Sequence, residues 1–200
     1  MSLTEDFPTW SKKYELLPGH DIMVGGTTLH RIRAIKDFGD VKAGQLGGFV
    51  ASEHNLSQLG NCWIADDAQV YDQATVSDDA QVLGLASVRD RARIGDKASV
   101  LGNAQVFEDG WVFKSGVVFD NAMIYGSGQV RDDGMVSGNA HVFDRARVLA
   151  GGNVSGNARI GGRTVVGGEQ TVSRFLSTEP KQGPTSGGKG GPRTPKGPRP

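Results

Sequence analysis

The side chains best suited to acid-base, nucleophilic or metal chemistry near neutral pH are few: four histidines and one cysteine in 200 residues. His20, His30 and His54 stand in the first part of the chain, and His141 stands far from them. A neutral imidazole can take the proton of a hydroxyl or amine that attacks an acyl group, so His141 is the candidate catalytic residue, as general base. A lone histidine on a strand is more often a surface or interface residue, and the sequence places no second polar residue to orient its ring. The aromatic residues make a stronger pattern. Tyr71, Arg89, Phe107, Tyr125 and Phe143 recur at intervals of eighteen, with Met123 and His141 beside the last two and with Trp111 and Phe113 nearby. Rings and an arginine in one line are anchors for binding or association rather than bond-making groups.

The element that must position them is written in a period of six. From Ile64 to Val172 every sixth residue is Val or Ile, and Ala or Gly stands two places before most of them, as in Ala68, Ala74, Ala80 and Gly110. A helix of 3.6 residues per turn would smear this period, and a plain strand would bury every second residue, so the period describes a coil. Val and Ile suit a short flat strand, while the Asp, Asn and Gly that follow tolerate the left-handed backbone of a corner. Three hexapeptides make one triangular turn. Coils eighteen residues apart then stack at roughly 4.8 Å, and alternation along each strand turns the Val inward and its neighbours outward.

The unit V-x-[D/G]-[N/D/R/S]-[A/G]-x, as in Val100-Leu-Gly-Asn-Ala-Gln, resembles the hexapeptide-repeat proteins. That resemblance implies an all-β fold, a single-stranded left-handed parallel β-helix, over somewhat more than half of the chain. The segments 29–50, 53–57 and 61–65 (LHRIRAIKDFGDVKAGQLGGFV, EHNLS and NCWIA) further resemble the uncharacterised YdcK-like family of phages, prophages and enteric bacteria. Enzyme members of the wider class are acyltransferases with a histidine base at a subunit seam, and a γ-type carbonic anhydrase of similar coil gathers three histidines on zinc. Here the coil holds only His141, so that ligand set is missing and no metal is expected. The repeated Asp66, Asp72, Asp78, Asp90, Asp96, Asp120, Asp132 and Asp144 interchange with Gly84, Gly102, Gly126, Gly138 and Gly156, and so read as corner residues rather than calcium ligands. Gly151-Gly-Asn-Val-Ser-Gly156 has the spacing of neither a phosphate loop nor a dinucleotide fingerprint, and no cofactor is expected.

Three parts follow. Residues 1–61 read as a β-rich cap, because the first coil of a solenoid would otherwise expose unpaired strand backbone. Residues 62–176 are the β-helix. Residues 177–200 are rich in Gly, Pro, Lys and Arg, have almost nothing to bury, and are expected to be a disordered tail. Lys181, Lys189, Arg193, Lys196 and Arg199 oppose Glu179 there, so nucleic acid or an acidic surface could be held loosely through the tail alone. A formal net charge of zero gives no global pull toward polyanions, no stretch approaches a membrane span, and the single Cys62 excludes an internal disulfide. Without an apolar signal core in MSLTEDFPTWSKKYELL, a cytoplasmic setting is expected, the host cytoplasm or a virion for a phage-encoded chain.

A ladder of aromatics on water-facing strand positions asks for a cover. The expectation is a homotrimer whose prisms pack face to face, acting as a non-catalytic binding or structural module toward itself or a host or virion protein. The alternative is a hexapeptide-type acyltransferase with His141 as base.

Overall fold

A computed structural model describes residues 12–174. Three longer strands open the chain, β1 (Tyr14–Val24), β2 (Thr27–Ala34) and β3 (Leu46–Val50), followed by a run of two-residue strands from Trp63–Ile64 to Thr171–Val172. Each hexapeptide contributes one such strand, as Gln105–Val106 and Trp111–Val112 do, and then a tight corner. Strands eighteen residues apart pair in parallel: Gln105 stands between Ser87 and Met123, and Val106 between Val88 and Ile124. Three sheets of nine, seven and six strands result, wound as a parallel β-solenoid of about seven turns. No helix among the described residues is long and apolar enough to cross a membrane.

The inward positions form one column of packing. Val70, Val88, Val106, Ile124 and Val142 are buried completely, and so are Ala68, Ala86, Ala104, Ala122 and Ala140 two places before them. The branched residue fills the flat of each face, and the small residue leaves room where the chain turns inward at the corner.

The corners explain the repeated acids. From Ile64 to Val166 the residue two after each repeat Val or Ile takes a left-handed backbone, with φ 56° at Asp66 and Asp72, 59° at Asp90 and 60° at Asp120. Asp tolerates this region and Gly does so without cost. Most of these Asp residues do more than tolerate it. The amide of Gly84 donates to Asp66 at 2.9 Å, that of Asp90 to Asp72 at 3.2 Å, that of Glu108 to Asp90 at 3.0 Å and that of Gly162 to Asp144 at 2.9 Å. A corner carboxylate thus holds the corner amide of the following coil. Asp132 departs from this rule and pairs instead with Lys114 at 2.6 Å and Arg131 at 3.5 Å. A parallel ladder of amides runs down the corner column of Asp66 and Gly84, where Asn103, Asn121, Asn139 and Asn157 bond in succession at 3.1 Å.

The N-terminal segment extends the coil rather than sitting over it. β1 and β2 form an antiparallel hairpin closed at Gly25 and Gly26, both with positive φ, and β3 pairs antiparallel with β2 and parallel with Gln69–Val70. The sequence suggests a turn at Pro18-Gly19-His20-Asp21, but β1 runs through it with a shift of register between Leu17 and Ile22. The first coil is already under way at Phe49 and Val50, and Leu56 bridges Val76. Leu56 and Ile64 stand eight apart instead of six, which hides this coil from the strict period. The enlarged corner between them turns the carbonyls of Leu59, Gly60 and Cys62 onto the buried ammonium of Lys13 at 3.2, 3.1 and 2.9 Å. Tyr14 donates to the Leu56 carbonyl at 2.7 Å, and Asn55 to that of Ala74 at 2.8 Å. Side-chain donors therefore meet the backbone acceptors that a first coil would leave open.

Ile124 is fully buried in the largest sheet, between Val106 and Val142. Ile124→Ala is expected to lower stability by about 2–5 kcal/mol and Ile124→Val by about 0.5–1.5 kcal/mol, read by denaturant unfolding.

Candidate functional site

The outward column of the largest sheet is brought together as the eighteen-residue spacing implies, and its rings cover one another. Phe107 stacks on Tyr125 with centroids 5.0 Å apart and planes 5° from parallel, and Tyr125 stacks on Phe143 at 5.4 Å and 9°. The coil spacing sets the interval at which flat rings meet, so the stack needs no separate packing element. Arg89 closes one end, its guanidinium 4.1 Å from the Phe107 centroid and its Nη1 2.9 Å from Asp90. At the other end Arg159 lies 5.7 Å from the Phe143 centroid. Gly161 follows Phe143 in the same column, and a Cβ there would come within 2.4 Å of the Phe143 ring. The ring occupies the space that the missing side chain leaves. Tyr71 stands one rung before Arg89, and all five residues of the column are half-buried. Stacking removes part of the water-exposed apolar surface that the sequence would leave bare, and each stacked pair contributes about 0.5–1.5 kcal/mol beyond burial.

His141 projects beside this stack. It follows Met123 and precedes Arg159 in the neighbouring outward column. Its ring meets that of Tyr125 edge to face at 5.9 Å, and its Nδ1 lies 3.5 Å from the Tyr125 hydroxyl, the long limit of a hydrogen bond. Arg159 donates from Nη2 to the same hydroxyl at 3.3 Å. Partial burial, and after it the charge of Arg159, hold the imidazole below its ordinary range. A neutral ring at pH 7 with a tyrosine and an arginine in reach can accept a proton. The second polar group that the sequence did not place is therefore Tyr125, with Arg159 behind it. The signal for Arg159 in the sequence is its position eighteen residues after His141, one rung further along the same outward column.

Trp111 and Phe113 flank Val112 on another sheet, with centroids 4.6 Å apart and planes tilted by 33°. Arg131 lies 5.7 Å from the Phe113 centroid, and Trp111 keeps 39% of its surface exposed. This pair is separate from the column of Tyr71, Arg89, Phe107, Tyr125 and Phe143. Lys181, Lys189, Arg193, Lys196 and Arg199 lie outside the described residues. Among the described residues no group of three or more His, Cys, Asp or Glu gathers as a metal cage, and His30 instead pairs with Asp21 at 2.9 Å. Cys62 is buried 3.2 Å from Lys13 Nζ, with its thiol pushed up by burial.

Comparison with known proteins gives two likenesses. Residues 68–84 match a family model described as YdcK Beta solenoid repeat. A stretch of 50 residues is 48% identical to a protein of Escherichia coli (strain K12) named "Uncharacterized acetyltransferase YdcK". That stretch takes in 24% of this chain and 15% of the relative's length. Both likenesses support a YdcK-like β-solenoid.

The depressed His141 has a consequence for stability. As pH falls, the unfolded chain binds the proton first, so stability is lost from about pH 6.5 downward through the folded pKa. His141→Gln is expected to lose less stability than the native chain over that window in denaturant unfolding, and the His141 ring is expected to titrate below the ordinary imidazole range by NMR.

Proposed function

We propose that the chain is a rigid, non-catalytic binding module that associates through its outward faces and presents the aromatic column to a partner. The observation that carries this reading is the column itself: three stacked rings between two arginines, fixed in register by the coil and half-exposed. Aromatic and arginine side chains are the residues that anchor interfaces, and rings already locked by stacking lose little freedom on binding. Trp111, Met135 and Val165 add exposed apolar surface on the two other sheets. A prism with apolar groups on each face suits threefold packing of identical chains, so the assembly is read as a homotrimer. In the same reading the coil winds left-handed, the chain is of phage origin, and the partner is a host or virion protein.

A second reading, acyl transfer by His141, is favoured by the neutral imidazole beside Tyr125 and by the name of the Escherichia coli relative. There His141 would take the proton from an acceptor hydroxyl or amine as that oxygen or nitrogen attacks a thioester carbonyl. The acyl carbon–sulfur bond would break and the thiol would leave.

Differently tagged chains are expected to co-purify, with a solution mass of three chains at about micromolar concentration; a strict monomer would contradict the homotrimer. Changing Tyr71, Phe107 and Phe143 together to Ser is expected to abolish association or partner capture while leaving the coil folded. Turnover of acetyl coenzyme A with any acceptor by the native chain, lost in His141→Ala, would replace the binding reading with the catalytic one.

A further inference from the structure

One corner column treats its charges in two ways. Arg91 forks onto Asp109 eighteen residues later, with Nε and Nη2 each 2.8 Å from a carboxylate oxygen. Further along the same column Arg145 meets Arg163 at the corresponding step, where the acid would stand. Arg147 projects beside them, paired in register with Val165. These four residues line a cleft of about 330 Å³ into which no carboxylate is gathered. The nearest acid in sequence, Asp144, is engaged with the amide of Gly162 at 2.9 Å. Like charges on adjacent rungs repel, so the arrangement is at its least favourable with nothing between the guanidinium groups.

We infer that the Arg145, Arg147 and Arg163 cleft binds a phosphate group, free or at the end of a small ester. Guanidinium forks match the spacing of phosphate oxygens and bind them in pairs, which a single lysine cannot do. Val165, 54% exposed at the edge of the cleft, gives the carbon part of an ester an apolar surface. The Arg91 and Asp109 fork is the internal control: the same column, with its charge already neutralised by the chain.

The test is titration of the full chain with inorganic phosphate, phenyl phosphate and benzoate at low chloride, followed by calorimetry and thermal unfolding. Saturable binding of both phosphates, with none of benzoate, is expected. Tighter binding of phenyl phosphate assigns the site to an ester, and equal binding to the free ion. Arg147→Gln is expected to weaken binding by about tenfold, and Arg91→Gln to leave it unchanged. Arg163→Asp recreates the Arg91 and Asp109 step at Arg145, and is expected to abolish binding and to raise the melting temperature without ligand by about 2 °C. Absence of saturation by either phosphate, or equal affinity in the native chain and Arg163→Asp, would overturn the inference.

Discussion

The bond from a corner carboxylate to the corner amide eighteen residues later holds the remaining features in place. A left-handed corner turns its N–H along the solenoid axis, where no strand partner reaches it, and Asp66, Asp72, Asp78, Asp90, Asp96, Glu108, Asp120 and Asp144 supply the acceptor. These bonds lie at exposed corners, where water would meet an open amide, so each contributes about 0.5–1.5 kcal/mol, and the contribution recurs wherever the corner residue is acidic. Where Gly occupies the corner it removes backbone strain but provides no acceptor. The alternation of Asp and Gly along the chain is therefore a choice between clamp and strain relief at each turn. Once the clamp fixes the register, every outward side chain acquires a neighbour on the next rung.

The surface chemistry follows from that register. The same step of one rung stacks Phe107 on Tyr125 and Tyr125 on Phe143, lays Arg89 over Phe107, joins Arg91 to Asp109 and chains the four asparagines. It also sets Arg145 beside Arg163. The fold thus converts a linear sequence into columns whose contents are free to vary, because the inward Val and Ala and the corner clamps hold the coil. Binding surface can accumulate on such a scaffold without disturbing the core. His141 lies within this economy as well, and its lowered proton affinity comes from the neighbours that the register gives it.

The period of Val and Ile, the corner role of Asp and the column from Tyr71 to Phe143 were legible because each depends on spacing alone. The contacts within the column were less so. Alternation along a strand marks these residues as outward, and only the short step between coils lets one ring cover the next. Tyr125 and Arg159 were missed as companions of His141 because they belong to other hexapeptides and meet it only across rungs. Arg145, Arg147 and Arg163 were invisible because they occupy two different positions of the repeat. The first coil was hidden by the eight-residue step from Leu56 to Ile64, and Lys13, which fills that enlarged corner, carries no pattern of its own.

Residue-resolved hydrogen exchange under native conditions tests the central claim most directly. The corner amides of Glu108, Lys114 and Gly126 should be as protected as the strand amides around Val106 and Ile124, because carboxylates one coil back hold them. Fast exchange at those corners above slow strands would show that the strands alone set the register, and would contradict the account.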